Sequence, residues 1–342
     1  MNTTAKAEKI LGQIQAQRET LLADYSTLAQ KVQNLKSSTA RELNKMVGRA
    51  TTMLKVKGCQ VFLAKDPSEA REQVLKILST NQKALISKDP IFTEINLHQF
   101  LQEKNVKLVQ TDLGERVAPL SIDVHPRMAS INTSVMDKEH LLQLKNDIRE
   151  ESSQTDFGIT GADAIIAETG TIALLESEGN VRLTSNLPYN HIVIAGVEKI
   201  VPTLEDALTV CRTSSIYGLG KDLLNYISFI SGPSRTADIE FRMVQGMHGP
   251  KEVYVILVDN GRMAASKKGE FDALKCLHCG GCLVDCPAYL KKGLKFGYHY
   301  SGKRKAILSK FLSGESSPYQ EECTYCLDCE KCNTICPVGL KI

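Results

Sequence analysis

CQVFLA (59–64), DPSEAREQVLKILS (66–79), KALIS (83–87), FTEINLHQFLQEKN (92–105) and VKLVQTD (106–112) follow one another with little between them. The first, third and fifth read as strands, the second and fourth as helices, with Asp66 or Ser68 placed to cap the earlier helix. Short strands alternating with helices predict an α/β domain with a largely parallel sheet. A helix near Lys138 to Glu150 and five further strands extend the pattern: DAIIAE (163–168), TIALLES (171–177), VRLTS (181–185), HIVIAG (191–196) and VYVILVDN (253–260). Residues 58–265 are long enough to bury one core.

Upstream, residues 1–57 read as a helical segment. Ile10, Ile14, Leu21, Leu22, Tyr25, Leu28, Val32 and Leu35 recur at steps of three and four. Ser37, Ser38 and Thr39 suggest a break between two helices, with Thr39 capping the second. Tyr25 to Gln60 holds seven basic residues and one acidic residue. That is either a solvated helix face or a docking arm for an acidic partner. Downstream, Ser266 to Gly269 marks a boundary. Residues 266–342 are short of aliphatic runs and dense in cysteine, so something other than an apolar core must hold them.

The length of 342 residues fits two domains and a smaller third piece. Hydrophobic residues at 42% and charged residues at 24% exclude wholesale disorder. A formal charge of +3 is too small to argue for nucleic acid. The longest apolar run, Val253 to Val258, is far short of the roughly 20 residues of a membrane span. The start, MNTTAKAEK, carries no apolar stretch behind a basic head. The expectation is a cytoplasmic protein with no transmembrane segment, touching a membrane only through a partner.

Eleven cysteines are present, nine of them in the last 67 residues. The odd total argues against a disulfide framework, and clustered thiols in a reducing compartment read as metal ligands. Cys276, Cys279, Cys282 and Cys286 precede Pro287; Cys326, Cys329, Cys332 and Cys336 precede Pro337. Both runs have the C-x2-C-x2-C-x3-C-P spacing of bacterial-type ferredoxins, in which the fourth cysteine of each run ligates the other cluster. Three thiolates on a tight turn reach three irons of a cubane, and the fourth iron needs a ligand from elsewhere. The expectation is two [4Fe–4S] clusters: one on Cys276, Cys279, Cys282 and Cys336, the other on Cys326, Cys329, Cys332 and Cys286. The prolines lack an N–H and fix φ, which turns the chain away from the cluster. Zinc is the competing reading, but zinc sites draw four ligands from two pairs. Cys323 extends the second run upstream and is an alternative ligand. Cys59 and Cys211 read as small buried hydrophobes.

KRKAILSKFL (303–312) reads as helix, which suits an α-helical ferredoxin-like domain. Lys291, Lys292, Lys295, Lys303, Arg304, Lys305 and Lys310 occur with no acidic residue from 291 to 314. They form either solvated surface or a docking face for a redox partner.

TDLGE (111–115), GITGADAIIAETGTIALLES (158–177), HIVIAGVEKIVPTLEDAL (191–208), SGPSRTADIE (231–240) and MHGPKEVYVILVDNGR (247–262) are more specific. With the cysteine tail, they resemble the lactate-utilisation iron–sulfur protein family, built on the LUD domain, over about residues 58 to 342. The resemblance implies a fold similar to the ribose-phosphate isomerase and CoA-transferase superfamily. It also implies a place in a three-part system that oxidises lactate to pyruvate and passes the electrons onward. The implied partners are a cysteine-rich CCG-domain protein and a second, cluster-free LUD protein, with a flavin-containing lactate dehydrogenase as a further candidate. Two departures stand out. The Lys-Ser-rich segment usual after the strand ending at Ser87 is reduced to Lys88, and the chain stops six residues after Cys336.

Within the α/β part, Glu168 leaves a strand end and precedes Thr169, Gly170 and Thr171. This is either a ligand site at the end of a sheet or a tight hairpin. Arg235, beside Ser234 and Thr236, either suits an anion or is pinned by Asp238 and Glu240 as a structural ion pair. His248 is a turn histidine or a polar ligand, and Tyr189, Asn190 and His191 lie where they could face the same crevice. Asp112 and Glu115 can do acid–base work or cap a helix. Two functions follow. In the first, the chain is a non-catalytic electron-transfer subunit, since no G-x-G-x-x-G fingerprint follows a strand. In the second, the LUD domain itself is catalytic, or binds an acyl or phosphorylated ligand, with Glu168 as nucleophile or base.

Overall fold

The computed structural model describes residues 3–79, 82–116, 138–222, 226–237, 242–292 and 326–341. Its strands are β1 (Gln60–Ala64), β2 (Lys83–Ile86), β3 (Lys107–Gln110), β4 (Phe157–Thr160), β5 (Ala164–Ile166), β6 (Thr171–Glu176), β7 (Asn190–Gly196), β8 (Ile200–Val201), β9 (Tyr226–Ile230), β10 (Arg235–Thr236), β11 (Val244–Gln245) and β12 (Glu252–Val258). Six of them form one sheet in the order β1-β12-β7-β4-β2-β3, every neighbouring pair parallel. A second sheet runs β8-β5-β6-β9, and β10 pairs with β11 as a separate ribbon.

Alternation along the central strands divides the core. Ile192, Ile194, Ile256 and Val258 pack towards α4 (Pro67–Leu78), α5 (Pro90–Glu94) and α6 (Leu97–Glu103), which follow α1 (Thr3–Asp24), α2 (Leu28–Arg41) and α3 (Leu43–Val56). Val193, Ala195, Val253, Val255 and Leu257 face the other way, onto Leu43, Met46, Val47 and Leu54 of α3 and Ile165 and Ile172 of the second sheet. Each such fully buried aliphatic side chain stabilises the fold by roughly 1.5–3 kcal/mol. α7 (Leu113–Arg116) and α8 (Lys138–Ser153) flank β3.

Asp66 caps α4, its carboxylate accepting the Glu69 N–H at 2.9 Å. Three local expectations need correction. The N-terminal helices break at residues 25–27 and at Glu42, whereas Ser37 to Thr39 lie inside α2. Thr39 caps nothing; its hydroxyl donates to the Leu35 carbonyl at 2.9 Å. Burial of Val32, Lys36, Thr39 and Ala40 along one face carries the helix through residues of modest helix propensity. VRLTS is not a strand but lies in α9 (Asn180–Asn186), which starts after Gly179 at φ 85°. The Glu176 carboxylate accepts the Arg182 N–H at 3.0 Å and fixes that turn. The helix expected over 92–105 is divided at Asn96, whose φ is 49°.

Candidate functional site

The two cysteine turns share one backbone. In the first, His278 and Gly280 flank Cys279 at φ 55° and 81°; in the second, Asp328 and Glu330 flank Cys329 at φ 48° and 56°. Each turn then enters a short helix. After α10 (Leu204–Leu219), α11 (Arg262–Lys268) and α12 (Asp272–Lys275), these are α13 (Gly281–Val284) and, beyond α14 (Pro287–Lys292), α15 (Lys331–Thr334). Left-handed non-glycine residues cost about 1–3 kcal/mol each, so such turns persist only where their surroundings demand them. They aim successive N–H groups into a concavity suited to an anionic centre. The His278 N–H donates to the Cys276 sulfur and the Asp328 N–H to the Cys326 sulfur, both at 3.4 Å.

Cys276, Cys279, Cys282 and Cys336 together line a pocket of about 330 Å³ up to its open mouth, with Leu277, Gly280, Pro337 and Val338 also in its wall. Cys286 keeps different company. It packs with Cys282 and Cys326 against Leu11, Ile14, Leu283 and Val284. Burial pushes its thiol up, the Tyr289 and Ala288 N–H groups offset part of that, and neighbouring Cys329 and Cys332 raise it further. The fourth cysteine of each run thus lies with the other run. Among the described residues, no three His, Cys, Asp or Glu side chains come close enough to share one metal ion. Sulfur-directed N–H groups, a largely apolar wall and four thiols around one space suit a cubane cluster. Cys323 and residues 303–312 lie outside the described residues. Cys59 and Cys211 are buried, as read from the sequence.

Side chains that sequence reasoning passed over hold these turns in place. Gly218 of α10 allows close approach, since a Cβ there would lie 2.2 Å from the Cys279 carbonyl oxygen. Arg18 of α1, 2% exposed, grips both oxygens of Asp285 at 2.9 and 2.8 Å, directly before Cys286. Gln15 adds a bond to the same carboxylate at 3.0 Å. On the other side, Glu94 takes a two-pronged bond from Arg262 at 2.8 and 2.7 Å, Arg262 also pairs with Glu198, and Glu198 meets His278 at 3.3 Å. Lys36 donates to the Glu198 carbonyl at 2.5 Å, and burial lowers it to about 8. The available signal was a cation on an apolar stripe: Arg18 follows Ile14 by four residues, and Lys36 follows Val32 by four. Arg18→Met should release α1 from the Cys286 turn. Iron should then be lost faster during anaerobic gel filtration, with far-UV circular dichroism unchanged.

The α/β part offers a crevice of about 840 Å³ up to its open mouth, lined by Ser87, Lys88, Asp89, Asp112, Gly161, Asp163, Glu176, Ser177, Glu178, Asn180, Lys199 and His278, among others. Its walls follow the carboxyl ends of β2, β3, β4 and β7. The chain leaves β2 towards β3 on one side, and leaves β4 towards β7 on the other. The gap between β2 and β4 is therefore the switch point at which open parallel sheets bind ligands. Glu178 is exposed as a residue, but its carboxyl group is raised to about 7, by desolvation first and then by Asp112.

Of the candidates read from the sequence, Asp112 lines this crevice. Glu168 does not: it sits in the β5–β6 hairpin turn, its N–H donating to the Pro202 carbonyl at 3.2 Å. Gly170, at φ 65°, packs that turn against the α3 backbone, and Thr169 donates to Thr171 at 2.8 Å. Arg235 donates to the Lys57 carbonyl at 2.8 Å, closing the end of α3, while Asp238 and Glu240 lie outside the described residues. His248 is exposed in a turn, its N–H donating to the Ser234 hydroxyl at 3.2 Å. Tyr189 is exposed, and Asn190 opens β7. His191 is buried against Thr160 at 2.8 Å, and burial lowers it to about 3, so it is a neutral core residue. The Glu115 side chain is outside the described residues.

Among the described residues, no helix is long and apolar enough to cross a membrane. Two relatives are named for what they do. The uncharacterized electron transport protein YkgF of Escherichia coli is 27% identical over 313 residues, which cover 83% of this chain and 63% of that protein. Lactate utilization protein B of Bacillus subtilis is 28% identical over 335 residues, covering 91% of this chain and 68% of that protein. The chain thus spans 63% of the length of the first relative and about two thirds of the second. A crystal structure of a DUF162 family protein from Deinococcus radiodurans overlaps 63% of this chain and 98% of its own, with TM-score 0.37 and 16% identity. Residues 272–340, which include both cysteine turns, match the 4Fe-4S dicluster domain, which carries two [4Fe–4S] clusters. Residues 47–258 match the LUD domain, more than half of the chain, and the protein belongs to the LUD domain family.

Proposed function

We propose that this chain is the iron–sulfur electron-relay component of an assembly that oxidises lactate or a related 2-hydroxy acid. The observation that carries this reading is the exchange of fourth cysteines. Cys336 lies with Cys276, Cys279 and Cys282, and Cys286 with Cys329 and Cys332. Two seats tied together in this way stand side by side, as a relay requires. The names of the relatives, lactate utilization protein B and an electron transport protein, agree with it. When bound, each cluster gives or takes one electron at a time. The chain supplies the thiolates, N–H groups that donate to sulfur, and an apolar wall that excludes water. Cys276, Cys279, Cys282 and Cys336 hold one cluster; Cys326, Cys329, Cys332 and Cys286 hold the other.

Removal of two electrons and two protons from a hydroxy acid belongs, in this reading, to a partner. Candidates are a CCG-domain protein, a second LUD protein or a flavin-containing dehydrogenase. Lys303, Arg304 and Lys305 would guide its docking. The test is anaerobic. Purified chain should contain about eight iron and eight sulfide, and lactate should bleach its visible absorption only when partners are added. Lys303→Gln, Arg304→Gln and Lys305→Gln together should slow that bleaching at low salt and converge on the wild-type rate at high salt. Lactate oxidation by the chain alone would favour the catalytic reading instead.

A further inference from the structure

The two cysteine runs build one turn in two different surroundings. Leu277, His278, Cys279, Gly280 and Gly281 of the first correspond to Leu327, Asp328, Cys329, Glu330 and Lys331 of the second. All five are buried in the first run, and all five are exposed in the second. Leu277, 4% exposed, belongs to the apolar cluster of Val32, Ile216, Tyr217 and Val338. Gly281 lies so close to α10 that a Cβ there would sit 2.7 Å from the Tyr217 carbonyl oxygen. The body of the protein thus covers the first turn. Leu327, at the matching place in the second, is 65% exposed.

The residue types follow these surroundings, with two exceptions. Leu283 and Val284, packed against Leu11 and Ile14 of α1, are matched in the second run by Asn333 and Thr334, and Gly281 is matched by Lys331. Leu327 does not follow: it stays apolar at an exposed place. Glu330 does not either, since it takes φ 56° where the first turn has a glycine. Glycine adopts that backbone without strain and glutamate does not. An apolar side chain ringed by charged ones has the anatomy of a docking surface, with a core and a rim. Cys329, a ligand of the second seat, lies in the middle of it. Electron transfer weakens steeply with distance, and a protein seated on this turn stands directly beside a cluster ligand. One approaching the matching face of the first turn meets α2 and α10 instead.

We propose that the second cysteine turn, Leu327 to Lys331, is the face on which the redox partner docks, so that electrons enter the chain at the second cluster. Leu327 enters an apolar socket of the partner, as Leu277 enters the socket that this chain builds for itself, and Glu330 and Lys331 meet charges at the rim. The choice of a redox protein as occupant rests on the proposed function. Each passage moves one electron from a reduced centre of the partner into the second cluster, with no bond made and no proton moved.

The test uses the full chain, reconstituted anaerobically. Dysprosium–EDTA, a paramagnetic complex confined to solvent, should quicken the electron-spin relaxation of the reduced second cluster far more than that of the first. Cys279→Ala, which keeps the second cluster, and Cys329→Ala, which keeps the first, tell the two signals apart. If Cys279→Ala does not fold, Cys336→Ala keeps the same cluster. The CCG-domain protein and the cluster-free LUD protein of the same cell then serve as partners in biolayer interferometry. Leu327→Asp should weaken the binding of one of them at least about tenfold, because it puts a carboxylate into an apolar socket. Glu330→Gly should weaken it about threefold, while thermal stability holds or rises. A merely structural residue would show no loss of affinity. Iron content should match the wild type in both variants, and if Leu327→Asp loses iron, Glu330→Gly carries the comparison. Equal relaxation of the two clusters, absence of binding by either protein, or wild-type affinity of Leu327→Asp would overturn the proposal. So would a dimer of this chain that Leu327→Asp dissociates. A partner that reduces the wild type and Leu327→Asp equally fast would overturn the docking face and leave the relay intact. A partner that binds at the turn and passes no electron to the wild type would do the reverse.

Discussion

Arg262→Met should lower the urea midpoint of the protein more than any other single substitution outside the cysteine runs. Arg262 is 1% exposed and stands between Glu94 and Glu198, themselves 4% exposed. Removing the guanidinium leaves two carboxylates in the interior at neutral pH. Breaking a buried ion pair in this way costs about 3–5 kcal/mol, a large part of a total stability of about 5–15 kcal/mol. The pH dependence identifies the cause. In the wild type, Glu198 is fully desolvated, but Arg262 and then His278 hold its pKa well below the ordinary value of 4.5. Its ionised form therefore stabilises the fold above pH 4.5, and that contribution fades as pH falls towards the folded value. In the variant, burial acts with the guanidinium gone and moves Glu198 the other way. The penalty is then greatest at neutral pH and relaxes on acidification. The gap between wild type and variant should narrow from pH 7 to pH 5. Adding Glu198→Gln to Arg262→Met should recover part of the loss. A gap that is the same at both pH values would mean lost packing rather than stranded charge.

Five of the six strands of the large sheet could be read from the sequence because buried parallel strands are short apolar runs, as in KALIS and HIVIAG; β4, the short FGIT segment, is not among them. The strand order could not be read. Nothing local to β4 announces that it inserts between β2 and β7, and that insertion creates the switch point. VRLTS looked like a strand because its residue types suit one, but the Glu176 carboxylate and Gly179 start a helix there. Tertiary contacts overrode local preference, as they did through Ser37 and Thr39 in α2.

The candidate sites divide in the same way. The cysteine spacing is local chemistry, and it located both turns. Glu168 pointed to the wrong end of a strand: Asp163, before β5, lines the crevice, while Glu168, after it, lies in the hairpin turn. Only the antiparallel pairing of β5 with β6 tells those ends apart. Asp112 was visible because it directly follows a strand of the parallel sheet. Glu178, Lys199 and His278 were not, since they come from the end of β6, the end of β7 and the first cysteine run. Such convergence exists only in three dimensions.

The exchange of fourth cysteines should show itself when substitutions are combined. Cys286→Ala should remove the cluster seated on Cys326, Cys329 and Cys332, because an iron loses its thiolate and no other described cysteine lies in that group except Cys282. Iron should fall from about eight to about four per chain. Cys336→Ala should do the same to the seat formed by Cys276, Cys279 and Cys282. Loss of four irons does not by itself tell which cluster has gone, so pairs decide. If Cys286 serves the second run, adding Cys329→Ala to Cys286→Ala damages a site already lost, and about four irons remain. Adding Cys279→Ala instead strikes the surviving site, and iron should fall close to zero. Ligation within each run predicts the reverse: near zero for Cys286 with Cys329, and about four for Cys286 with Cys279. Cys323→Ala should leave iron content unchanged, since the x3-C-P ending places the second register on Cys326, Cys329 and Cys332. A loss there would shift the register upstream by three residues, and Cys332 would then be the dispensable thiol.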